Sequence, residues 1–157
     1  MRPLLSIPFC LLLIPAPALA QSVLDQVFGA DGPCFSRSYD AAHLAAHPDQ
    51  RVTQMVVRAD TEDMTHSGTK DLLLLVDVTV RDGATPYSGV AYCDRVGDGL
   101  ACLMEGDAGG FSLVPQGKRL LLAVGANGLS FEADDFLTLE PDKGDDRTFL
   151  LDAGTCG

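Results

Sequence analysis

The chain has 157 residues, 46% of them hydrophobic and 21% charged, with no Trp. That is enough for one hydrophobic core and too little for two, and the residue mix excludes an intrinsically disordered chain. With 11 Lys and Arg against 22 Asp and Glu the formal charge is −11, which disfavours nucleic acid and anionic lipid as partners, because both need a basic face.

Residues 1–20 read as a secretory signal: Arg2 gives a basic start, residues 4–14 an apolar stretch, and Ala18-Leu19-Ala20 a small-x-small cleavage site. A stretch of about eleven apolar residues, interrupted by Pro8 and followed by Pro15 and Pro17, is too short and too kinked to span a bilayer. No membrane insertion is expected. Cys10 lies inside the stretch and not directly after the cleavage site, so lipid anchoring is not expected either. Cleavage before Gln21 removes Arg2 and leaves 10 basic against 22 acidic residues, a mature charge of −12. The expected location is periplasmic or secreted, with residues 21–33 a flexible lead-in and residues 34–157 a single β domain.

Near the start of that domain Asp40 is placed to cap a short helix over residues 41–47, stopped by Pro48. Such a helix needs packing on a sheet to be stable. From residue 51 onward short apolar stretches alternate with turn signals, the pattern of antiparallel β structure. Val52 to Val57 make a first strand. Leu72, Leu74, Val76, Val78 and Val80 then form one apolar face opposite Asp77, Thr79 and Arg81. Residues 59–69 between them read as an exposed loop. A hairpin is predicted over residues 87–105 around Gly97-Asp98, followed by strands at residues 111–114, 120–124, 129–132, 136–139 and 148–151, with Asn127-Gly128 as a hairpin turn. About eight strands predict an all-β fold, a sandwich or a barrel; the pattern leaves both open.

The mature chain keeps Cys34, Cys93, Cys102 and Cys156, an even number in an oxidising compartment, so two disulfides are expected. A two-residue loop at Gly97-Asp98 sets Cys93 opposite Cys102 in a non-hydrogen-bonded pair, where Cα atoms approach to about 4.5 Å. By elimination Cys34 joins Cys156. A clasp over so long a loop is worth on the order of 4 to 5 kcal/mol by chain entropy. With the thiols so employed and no histidine adjacent to any of them, a cysteine nucleophile is not expected.

No enzyme signature is present. Asp152-Ala153-Gly154 resembles an aspartic-protease motif but lacks its hydroxyl residue, and no Gly-x-Ser-x-Gly, phosphate-loop or His-Glu-x-x-His pattern occurs. His43 and His47, four apart, would share a helix face and are weak candidates for a metal site; a third ligand, from His66, Asp40 or Asp49, would be required. Asp142, Asp145 and Asp146 do not follow a calcium-loop spacing and read as a solvated acidic turn. No cofactor is expected.

Ser88-Gly89-Val90-Ala91-Tyr92 matches the Ser-Gly-x-x-Tyr motif, and in this motif, its acidity and its Cys34 and Cys156 near the two ends, the chain resembles the periplasmic lysozyme inhibitors of Gram-negative bacteria. The match covers five residues and a cysteine framework; the family's second motif has no counterpart. The resemblance implies that the loop carrying Ser88, Gly89 and Tyr92 enters the cleft of a basic hydrolase, Ser88 hydrogen-bonding its catalytic carboxylates and Tyr92 supporting the loop. A hydroxyl can donate to a carboxylate without adding charge, and an acidic body speeds encounter with a basic partner. The expectation is a binding module and not an enzyme. The alternatives are a periplasmic metal-binding protein using His43 and His47, or a structural envelope component. Oligomeric state is not legible in the sequence.

Overall fold

The computed structural model describes residues 34–60, 72–83 and 85–154. Among them, nine strands and one helix follow in chain order: β1 (Cys34–Ser38), α1 (Ala41–Ala46), β2 (Val52–Ala59), β3 (Leu72–Val80), β4 (Tyr87–Val96), β5 (Gly99–Met104), β6 (Gly109–Gln116), β7 (Arg119–Glu132), β8 (Phe136–Leu139) and β9 (Thr148–Gly154). All pairings are antiparallel. β1 to β6 pair in sequence, β6 pairs with β7, β7 with β9, and β9 with β1, so eight strands close into a barrel. β8 stands outside the ring, paired with the C-terminal end of β7. Closure answers the question that alternation left open, and it removes the free edges a sandwich would keep.

Alternation builds the core. In β3 the inward Leu74, Val76 and Val78 are fully buried, while Asp77 and Thr79 occupy the outward positions. Phe35, Met55, Leu100, Leu113, Leu122 and Phe149 fill the interior from the other walls. Eight strands enclose a space that side chains can fill, and here they do. The interior is a hydrophobic core.

The β4–β5 hairpin has the expected register, with Val96 opposite Gly99 and Cys93 opposite Cys102. The two cysteines are disulfide-bonded, their Cα atoms 4.1 Å apart, and both are buried. The expected Cys34–Cys156 pairing involves Cys156, which lies outside the described residues, as do the signal segment, the lead-in and most of the 59–69 loop. Register sets buried Cys34 opposite Gly154, two positions before Cys156 in sequence.

Two features differ from the expectations. Asn127-Gly128 is no hairpin turn: β7 runs through it for 14 residues. Gly128 has φ +79°, and the Cβ that Gly109 lacks would overlap the Gly128 carbonyl, so the glycines permit a bend and a close crossing of β6 and β7. The first half of β7 pairs with β6 and β9; the second half pairs with β8 while Leu129 still faces Gly109 of β6. β1 was not anticipated, because in Cys34-Phe35-Ser36-Arg37-Ser38 only Phe35 is a large inward apolar residue and the alternation is faint.

α1 forms as expected, with Asp40 Oδ1 accepting from the His43 amide at 2.7 Å. None of its six residues is buried, so burial does not hold it. Arg81, just past β3, does: its Nη2 donates to the Leu44 and His47 carbonyls at 2.6 and 2.7 Å, and its Nε to the Gln50 carbonyl at 2.6 Å. The carbonyls at the helix end thereby gain a cationic donor, the His47 carbonyl in addition to the Gln50 amide it already accepts from at 3.1 Å.

Candidate functional site

The structure places Ser88, Gly89 and Tyr92 on a barrel strand, not on a loop. Across from β3, Asp77 faces Ser88, Val76 faces Gly89 and Leu73 faces Tyr92. Pleating therefore separates the motif: Ser88 and Tyr92 project outward and Gly89 inward. The motif follows local β propensity once Tyr87 opens the strand, and its glycine faces Met104 in the core.

On the outer face Ser88 Oγ donates to Asp77 Oδ1 at 2.6 Å. Arg58 Nη2 approaches Asp77 Oδ2 at 3.5 Å, so a polar chain crosses β2, β3 and β4. Sequence reading did not single out Asp77, because its relation to Ser88 is set by register between strands. Tyr92 lies directly opposite Leu103 of β5, and the two are 45% and 70% exposed. Asp94 and Glu105, both exposed, follow on either side of this apolar pair.

Beside Leu103 a surface groove of about 670 Å³ runs over β5, β6 and the bend of β7. Its floor is the cross-strand row Ala101, Ser112 and Ala123, and Asp107 and Asn127 stand among its lining residues. Gly110 and Gly125 make the depression. A Cβ at Gly110 would overlap the Cys102 carbonyl, and one at Gly125 would lie 2.8 Å from the Gly110 carbonyl.

His43 and His47 meet, but as a stack. Their ring centroids are 4.4 Å apart with planes 19° from parallel, and Tyr39 stacks on His43 at 4.6 Å, with the Arg37 guanidinium 5.3 Å from the Tyr39 centroid. Gln50 Nε2 donates to the Val52 carbonyl, so Gln50 Oε1 is the acceptor for His43 Nε2 at 3.0 Å. His47 Nδ1 meets Asp145 Oδ2 at 3.2 Å. Imidazole lone pairs lie in the ring plane, so nearly parallel rings do not converge on one ion. Among the described residues no group of three or more His, Cys, Asp or Glu could hold a metal; His66 lies outside them. His47 fastens α1 to the loop before β9, and His43 fastens it to Gln50 before β2.

The acidic turn is not merely solvated. Asp146 is 2% exposed, and its carboxylate accepts from the Arg51 and Val52 amides at 2.8 and 3.1 Å. Its role comes from residues 94 and 95 positions away, and no local spacing announces it. Asp152, from the protease-like sequence, lies within β9 and pairs with Arg37 at 3.1 Å. Burial raises the Tyr39 pKa above its ordinary value. Tyr87, whose hydroxyl donates to Asp135 Oδ1 at 2.6 Å, is also raised, first by that hydrogen bond. Comparison with known proteins gives no relative: no protein family, curated protein or solved structure matches this chain.

Proposed function

We propose that the chain is an exported, disulfide-bonded binding module that recognises a basic hydrolase of the lysozyme class through the outer face of β3, β4 and β5. The observation that carries this reading is the exposed Tyr92–Leu103 pair with Ser88 on the same outward face and the carboxylates of Asp94 and Glu105 beside it. Aromatic and aliphatic anchors within a charged rim are the usual anatomy of a recognition patch. The rim and the −11 chain both favour a cationic partner. The filled interior adds support, since it directs binding to the outer wall. The buried Cys93–Cys102 bond fits an oxidising compartment.

On this reading Tyr92 and Leu103 dock, and Ser88 exchanges its Asp77 acceptor for a carboxylate in the partner's cleft. Gly89 acts indirectly, by letting β4 sit close over the core. The test is a lysozyme inhibition assay with mature protein starting at Gln21. Inhibition that weakens in Tyr92→Ala and Ser88→Ala is expected. No inhibition at micromolar protein across lysozyme types overturns the reading.

A further inference from the structure

We infer that the groove beside Leu103 receives a basic side chain of the partner, arginine in preference to lysine; this rests on the reading of the β3–β5 face as a docking surface for a basic protein. The groove and the patch are continuous, because Leu103 belongs to both and Gly110 lies opposite it on β6. At about 670 Å³ the groove falls within the roughly 300–1,000 Å³ typical of ligand sites. Its lining mixes apolar and polar surface, with Leu103 its large exposed apolar side chain, and its floor is flat, since Ala101, Ser112 and Ala123 carry no long side chain. Asp107 is its single charged lining residue, and no lining residue is basic. Ser112 and Asn127 bring side-chain oxygens that can accept hydrogen bonds.

A planar, weakly hydrated guanidinium suits that combination. It lies flat on a floor of small side chains while its edge donates to a carboxylate, whereas an ammonium gives up more hydration for fewer aligned bonds. Charge settles the sign of the occupant. An acidic side chain would meet Asp107 and the field of the whole protein, and a second copy of this chain would bring another −11.

Isotope-labelled mature protein titrated with tri-arginine, tri-lysine and tri-glutamate peptides tests this by amide chemical shifts. Tri-arginine is expected to move resonances of residues 101–112 and 123–127, tri-lysine to move the same set less, and tri-glutamate to move none. Asp107→Asn should weaken tri-arginine binding by up to about fivefold, the range of one exposed ion pair. Ala123→Trp places an indole in the groove and should abolish the shifts; should that variant misfold, the exposed Asp107→Asn decides. Shifts spread over every acidic loop, or unchanged affinity in both variants, overturn the inference. Its failure is separable from that of the function. Lysozyme inhibition that persists unaltered in Ala123→Trp removes the groove and keeps the docking face, whereas tri-arginine binding without any lysozyme binding does the reverse.

Discussion

The Cβ that Gly89 lacks would overlap Met104 Cε and would lie 3.4 Å from Phe131 Cδ1. Gly89 is thus fixed by the core, while its neighbour Ser88 points away from it. Gly89→Ala should therefore cost stability, but only about 1 kcal/mol, because the atom it meets is the flexible end of Met104, and shortening position 104 in the Gly89→Ala background by Met104→Ala should remove the overlap itself. Ser88→Ala should leave the melting temperature almost unchanged, since it removes one exposed hydrogen bond. Thermal denaturation of the three variants alongside inhibition separates the structural from the recognising half of the motif. A Gly89→Ala protein as stable as the wild type would contradict the packing argument.

The inward-facing Cys93–Cys102 bond closes a short loop, with a sequence separation of 9. Chain entropy assigns such a loop roughly 2.5 kcal/mol. Replacing both cysteines by alanine should lower stability by about that amount or more, because two buried sulfurs are also lost. Reversible urea unfolding of the double variant measures it. A change under 1 kcal/mol would mean that the hairpin is already ordered in the unfolded chain.

Much of this architecture is written locally. The Leu72 to Val80 alternation, the Gly97-Asp98 turn and the Asp40 cap each act within a few residues, and each appears where the pattern placed it. What failed to show were properties created by pairing. Asn127-Gly128 has the composition of a reversal, yet β7 continues because β6 and β9 hold its first half and β8 its second. The hairpin pattern placed the motif residues in a strand, where β3 supplies a complete partner, and only the family resemblance implied a loop. The Tyr92–Leu103 pairing was legible from hairpin register. Its exposure was not, since period-two alternation says that a residue faces out but not what covers it.

Asp146 ties the loop before β9 to the start of β2 by accepting from two main-chain amides, one of them on fully buried Val52. Asp146→Ala leaves both donors without that acceptor in a place water reaches poorly, which should cost about 2 to 4 kcal/mol. Asp146→Asn retains one acceptor oxygen and should cost less. Asp145→Ala, two-fifths exposed and bonded only to His47, is the control, with an expected loss under about 1 kcal/mol. Denaturant midpoints for the three variants test the order; equal losses at positions 145 and 146 would defeat it.

Tyr87 supplies a test in alkali. Its hydroxyl donates to Asp135, and ionisation would turn that bond into a contact between two anions, so its folded pKa stands above the ordinary tyrosine value. Tyr39 is raised as well, by burial. A group raised on folding contributes stability that is complete below its unfolded pKa and is lost as pH rises through the folded value. The wild type should therefore hold its stability up to about pH 10 and lose it above. Tyr87→Phe, which cannot ionise, should show a shallower alkaline decline, and its phenolate absorbance titration should lack one late component. Asp135→Asn should move that same component to lower pH, because the anion that opposes ionisation is gone. An Asp135→Asn titration identical to the wild type would show that the Tyr87–Asp135 bond does not persist in solution.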